Sequence, residues 1–351
     1  MKGLQSVIDR HEKLKLLDVC LRNMDNDSFR AKVFNRDSSQ LQVETNSKGC
    51  ERGILYQIQI GHKGDGFFAE YRRMLNYLYY ADQLQLIPYI VCTQDYTYAE
   101  DHPVNGHSNP FEYYFCQPCV SAERYDQYRY IVRNRDCDQD LSRALKPENG
   151  YDLSEEYVAA MAEITRKYIR PNKETKELQK QVDELLGNEK TLGIHVRLTD
   201  FRKNFYGHPT CVTADQHMKL AKRAVEEFGF QRIFLATDDV DTVNLFRKEF
   251  GEKLLTYSDV TRSDGDVSVA FSAADRENHH YHLGQEVLRD MYTLARCDGL
   301  IAGKSQVSIC AYIQKRTTGD YCYREILDAG YNTDSSRKFS DELQRLQQHG
   351  R

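Results

Sequence analysis

Two hydrophobic rhythms alternate along the chain, and their order predicts its elements. Residues 54–60 (ILYQIQI) form a short β-branched run that ends in the glycine cluster GHKGDG (61–66). FFAEYRRMLNYLYYADQ (67–83) then places apolar residues at helical spacing, and LIPYIVC (86–92) returns to a strand. This strand–turn–helix–strand unit is the building block of a parallel sheet. Ahead of it, residues 1 to about 50 read as a charged helical segment followed by a polar stretch. Residues 93–120 read as a loop rich in tyrosine and phenylalanine. A helical pattern from Asp152 to Leu186 is interrupted at Arg170-Pro171, and Gly187 and Asn188 terminate it.

The second half alternates strand and helix. TLGIHVR (191–197) is a strand, and Thr213 opens a helix with Gln216 completing a capping box, running to Phe228. RIFLAT (232–237) is a strand, Asp238-Asp239 a turn, and VDTVNLFRKEF (240–250) a helix. KLLTY is a further strand, 258–283 a long polar loop, QEVLRDMYTLARC (285–297) a helix, GLIAG a buried strand and SQVSICAYIQK (305–315) a closing helix. Repeated β-α-β units predict an α/β fold with ligands at the C-terminal strand ends. The expected division is an N-terminal domain over 1–187, a Rossmann-like domain over 188–332 and a polar, solvated tail over 333–351.

Composition narrows the function classes. A chain of 351 residues with 40% hydrophobic and 29% charged residues has enough apolar material for about two domains. Its formal net charge of -5 gives no bulk attraction to nucleic acid or an anionic membrane. No apolar run reaches the length of a spanning helix, and the charged N-terminus lacks a signal-peptide core. The 10 cysteines are scattered. Cys116 and Cys119 form one CxxC without a second pair at zinc spacing, so they read as reduced loop thiols and the chain as a cytoplasmic protein.

Four clusters at strand ends carry candidate chemistry. His195, Arg197 and Thr199 share one face of a strand, where arginine's planar fork suits a phosphate; the alternative is a structural pair of Arg197 with Asp200. Asp238-Asp239 follows a buried strand, with one acid expected to cap the next helix and the other to contact a hydroxyl or base edge. Residues 299–306 (GLIAGKSQ) run from a strand into a helix N-terminus, which offers free N–H groups to an anion, although Ser305 also reads as a plain cap. Gly61 to Gly66 allow close backbone approach and carry Asp65 at the tip.

Taken together, GIHVRLTD, IFLATDD, LGQEVLRDMYTLARCDGLIAG and KSQVSICAY resemble, in order and spacing, the α1,6-fucosyltransferases of the core and bacterial nodulation types. GDGFF and NPFEYYF resemble the wider GDP-fucose superfamily, which includes the protein O-fucosyltransferases. The resemblance implies a GT-B-like fold, two facing Rossmann-type domains with a cleft between them. It further implies GDP-β-L-fucose as donor, inversion at the anomeric carbon, a glycan or glycoconjugate acceptor and no required metal or other cofactor. By matched position, Arg197 would hold the β-phosphate, His195 the nucleotide, Asp290 guanine or ribose, and Ser305 and Gln306 the diphosphate. Asp238 and Asp239 match an acid pair that organises the sugar or acceptor side. Gly64 and Gly66 would approach the donor.

The chain departs from those enzymes in two places. Leu198 stands where they carry a second arginine, and FRKNFYGH replaces their downstream lysine and glutamate. A general base must therefore come from elsewhere, with Asp65 the first choice and His208 the second. Tyr96, Tyr98, Phe111, Tyr113 and Tyr114 offer stacking faces to a glycan or else pack beneath the cleft, and the chain has no tryptophan. The same residues suit another GDP-sugar donor, or a catalytically silent nucleotide-sugar or glycan-binding module.

Overall fold

Strand order in the computed structural model, which describes residues 43–145, 151–263, 265, 269–271 and 276–349, fixes where a ligand can sit. The charged helical segment expected over most of residues 1–50 and part of the 258–283 loop lie outside the described residues. The N-terminal sheet has four strands: β1 (Val43–Thr45), β2 (Glu51–Ile60), β3 (Ile87–Cys92) and β4 (Tyr128–Arg133), in the order β1-β4-β2-β3. β2 is parallel to β3 and β4, and β1 pairs antiparallel with β4. Helix α1 (Phe67–Gln83) follows the glycine turn after β2, its buried face running from Phe67 and Phe68 to Tyr80 and Ala81. β1 and β4 carry no clear sequence signal. YRYIVR (128–133) is strand-like, but it sits directly behind a charged, helix-like stretch.

Two helices, α2 (Glu155–Tyr168) and α3 (Lys173–Leu186), lead into the second sheet. That sheet is wholly parallel: β5 (Thr191–Val196), β6 (Arg232–Thr237), β7 (Leu254–Leu255), β8 (Gly299–Gly303) and β9 (Tyr323–Leu327), in the order β9-β8-β5-β6-β7. All six residues of β5 are buried, as expected of a central strand covered on both faces. α4 (Ala214–Phe228) carries the predicted Thr213–Gln216 capping box, and α5 (Val240–Phe250) matches its predicted range. α6 (His279–Arg296) begins six residues before its predicted start, and α7 (Gln306–Lys315) is capped by Ser305. The chain walks outward from β5 through β6 to β7, then crosses back to β8. The switch point of the sheet therefore lies between β5 and β8, where open α/β sheets bind ligands.

The α/β architecture of two sheets with strand ends facing a common cleft is the one expected. One apolar cluster continues from Ile58 on β2 through Met161 on α2 to Met291 on α6 and Ile309 on α7, tying the halves together. At the seam, an added Cβ on Gly284 of α6 would overlap the Tyr114 hydroxyl, which donates to the Tyr281 carbonyl at 3.1 Å. Residues 333–338 are exposed, as their polarity predicts, and the chain then turns back onto the protein. Phe339–His349 forms a helix, α8, whose Phe339 ring packs against Phe205 at 5.2 Å. Phe339 and Leu343, a turn apart, dock this mostly polar helix.

Candidate active site

The cleft between the sheets has a volume of about 290 Å³ and is lined from both halves. It gathers Gly64, Asp65, Gly66, His195, Arg197, His208, Asp238, Asp290, Ser305 and Gln306, candidates drawn from segments more than two hundred residues apart.

Register builds the central wall. β5 and β6 pair Val196 with Thr237, so Arg197 and Asp238 emerge side by side. Arg197 binds Asp238 Oδ2 at 2.7 Å and Asp200 Oδ1 at 2.5 Å. Asp238 also accepts the Leu198 N–H at 3.1 Å and the Thr199 hydroxyl at 2.5 Å, bracing the loop that aims the guanidinium. These carboxylates offset the burial of Arg197 and raise its pKa, so it stays charged throughout the working range.

β8 pairs Ala302 with His195, which brings His195 beside the start of α7. Its Nδ1 lies 3.3 Å from Ser305 Oγ. Burial pushes the His195 pKa down to about 3, so the ring is neutral and serves as a hydrogen-bonding group. Ser305 Oγ accepts the Ser308 N–H at 3.1 Å, and Gln306 and Val307, in the first turn of α7 where N–H groups lack intrahelical partners, line the cleft. A fixed guanidinium beside a helix N-terminus is an anion cradle.

Of the acid pair, Asp239 is the expected helix cap and takes no place on the donor side. It is 3% exposed, does not line the cleft, caps α5 by accepting the Thr242 N–H at 2.8 Å, and pairs with Arg202 at 2.9 Å. Adjacent residues at a strand end point in opposite directions, and of the two only Asp238 lines the cleft. The five aromatic candidates Tyr96, Tyr98, Phe111, Tyr113 and Tyr114 are all buried, and only Tyr98 lines the cleft. They are packing beneath it.

At one end of the cleft, Asp290 is 9% exposed, and its carboxylate makes no hydrogen bond among the described residues. Burial pushes its pKa up to about 7, against the pull of Arg262 and Arg289. Glu286, which sequence reasoning missed, lines the same end, accepting the Thr261 N–H at 2.9 Å and pairing with Arg276 at 2.5 Å. Its place one turn before Asp290 on the same helix face was the available signal.

Two candidate bases also line the cleft. Asp65 Oδ2 is held by Arg73 at 2.9 Å. Burial, with the Glu70 carboxylate alongside, pushes the Asp65 pKa above its ordinary range. His62, Asp65 and Glu70 form a constellation close enough for a metal. The Arg73 guanidinium, however, binds Asp65, Glu70 and His62 Nδ1 at once and supplies the positive charge there. His208 differs. Its Nδ1 is buried without a partner among the described residues, leaving Nε2 as the accessible ring nitrogen, and burial lowers its pKa.

Neither a scan of family models nor a search of curated proteins finds a match. Among solved structures, the chain is similar to the fucosyltransferase NodZ from Bradyrhizobium, at 16% identity and a TM-score of 0.48, covering 75% of this chain and 93% of that one. It is also similar to POFUT1 in complex with GDP-fucose, at 8% identity and a TM-score of 0.41, covering 80% of this chain and 99% of that one. The site described above stands on strand order and cleft geometry.

Proposed function

We propose that the protein is an inverting glycosyltransferase that moves L-fucose from GDP-β-L-fucose to a hydroxyl of a glycan acceptor. The observation that carries this reading is Arg197, fixed by Asp200 and Asp238 at the switch point beside the open N-terminus of α7. The sequence motifs that resemble fucosyltransferases supply the donor's identity. In this reading the diphosphate lies between Arg197 and α7, and the Asp290 carboxylate accepts N–H groups of the nucleobase. As the acceptor oxygen bonds to the anomeric carbon, the bond to the β-phosphate oxygen breaks and its electron pair stays on GDP. Arg197 stabilises that developing charge. The acceptor proton passes to Nε2 of His208.

His208 takes precedence over Asp65 for a physical reason. Asp65 is engaged by Arg73 and a neighbouring carboxylate, whereas the neutral imidazole has an accessible nitrogen with no competing partner. The positive charge at the leaving group comes from Arg197 and α7, so the reaction is proposed to need no metal.

The experiment is GDP release from a panel of GDP-sugars, followed by a neutral-glycan acceptor array. Release from GDP-fucose alone supports the reading; release from another GDP-sugar reassigns the donor. Both partners of Arg197 being carboxylates favours one second reading, a silent nucleotide-sugar-binding module. Tight GDP binding without turnover of any donor would establish it.

A further inference from the structure

The C-terminal segment lies along the loop that carries His208. Thr210 N–H donates to the Gly330 carbonyl at 2.8 Å, and Asn332 N–H donates to the His208 carbonyl at 2.9 Å. Gly207 N–H donates to Asn332 at 2.9 Å, and Tyr206 N–H donates to Arg337 at 2.8 Å. The Asn332 side-chain amide adds a second bond to the His208 carbonyl at 3.2 Å. This short ladder ends where α8 begins, at Phe339.

The Phe339 ring centre lies 5.6 Å from the His208 imidazole, with Phe201 at 6.1 Å and Phe205 at 5.9 Å on its other sides. The far end of α8 is seated on the opposite half of the molecule. Leu343 occupies the space beside Gly64, where an added Cβ would lie 2.5 Å from Leu343 Cδ1. Gly64 also has φ +88°, a conformation that favours glycine. Lys203 and Glu342 pair at 2.5 Å and hold the helix between these contacts.

We propose that Phe339 is a positioning residue for His208, its ring closing an aromatic enclosure that holds Nδ1 inward and leaves Nε2 to the cleft. The enclosure excludes water from the Nδ1 side of the ring. The charged groups around it oppose one another: Asp200 draws a proton to His208, Arg197 repels it, and Glu342 on α8 pairs with Lys203. Burial therefore decides the protonation state, and Phe339 supplies part of that burial. The inference rests on His208 being the acceptor-side base, but its main readout does not.

The test is an NMR titration of the His208 ring, assigned by the signal lost in His208→Gln. Phe339→Ala should raise the midpoint toward the ordinary histidine value of about 6.5. Phe339→Leu, which keeps apolar cover, should restore most of the wild-type midpoint. An unchanged midpoint in Phe339→Ala, or an equal shift in both variants, overturns the proposal. Should Phe339→Ala fail to fold, Leu343→Ala, which loosens the other end of α8, should give a smaller upward shift, and no shift there overturns it. A moved midpoint with a stationary acid limb of transfer would leave Phe339 in its role while removing His208 as the base.

Discussion

The two walls of the cleft are made by opposite means. On the C-terminal wall, His195, Arg197 and Asp238 sit at the ends of neighbouring parallel strands, and ladder register sets their spacing. The other wall is built of loops from both halves: Asp65, His208 and Phe339 come from a glycine turn, a loop and a distant helix, held by ring packing and a few backbone bonds. A sheet aims side chains through dozens of shared hydrogen bonds, so a single substitution there removes a group without moving its neighbours. The loop wall has no such redundancy, and a substitution can displace what it does not delete. The first wall suits a fixed charge at a leaving group; the second suits groups that must admit an acceptor.

The sharpest way to break this contrast is Arg197→Ala. Transfer should fall by about a thousandfold or more, the scale of removing a preorganised charge-stabilising group. Thermal unfolding should stay cooperative, because the strands beneath are intact. Arg197→Lys should recover little, since an ammonium cannot replace a planar fork that binds two carboxylates and, in the proposed reaction, a phosphate. Activity of Arg197→Ala within a few-fold of wild type would remove the phosphate assignment. On the other wall, His208→Gln should lose about a hundredfold or more in rate while binding GDP normally, and Asp65→Asn should retain most of its rate. The reverse pattern would return the base to Asp65.

The same contrast explains what the sequence discloses. β5, β6, β8 and the helices after them are legible because their apolar runs, caps and turns are local, and a parallel α/β pattern then places His195, Arg197 and Ser305 at strand ends. Asp238 and Asp239 looked alike as neighbours, and only the geometry of the cap separated them. The aromatic run 111–115 was ambiguous because tyrosine serves equally in a core and at a sugar platform; burial against α6 decides it. Phe339 was invisible. Nothing within a few residues of it reveals that its partner lies over a hundred positions earlier in the chain.

A smaller effect probes the proposed nucleobase contact at Asp290. Asp290 must be ionised to accept N–H groups from a base, and its pKa is pushed up to about 7 in the free protein. GDP affinity should therefore be constant above that value and weaken as pH falls through it, by up to about tenfold per unit once the carboxyl is mostly protonated. Isothermal titration between pH 5.5 and 8.5, roughly straddling that midpoint, measures this. Asp290→Asn should bind more weakly at high pH and lose the dependence. An unchanged profile in Asp290→Asn would place the nucleobase elsewhere in the cleft.

The smallest expected effect is that of chelation, and it asks whether both walls work with protein charges alone. Asp238 accepts from the Leu198 N–H, the Thr199 hydroxyl and Arg197, which leaves it poorly placed to ligate a cation without releasing the loop that aims Arg197. On the loop wall, Arg73 lies among the possible ligands His62, Asp65 and Glu70. A metal entering either place would have to displace a guanidinium already hydrogen-bonded there. Transfer measured in excess EDTA should therefore stay within about twofold of the untreated rate, the charge on the departing diphosphate being met by Arg197 and α7. Abolition by EDTA with recovery on adding Mn²⁺ or Mg²⁺ would overturn this and make one acid cluster a metal site. Asp238→Asn against Asp65→Asn, each assayed for metal dependence, would then identify which wall holds it.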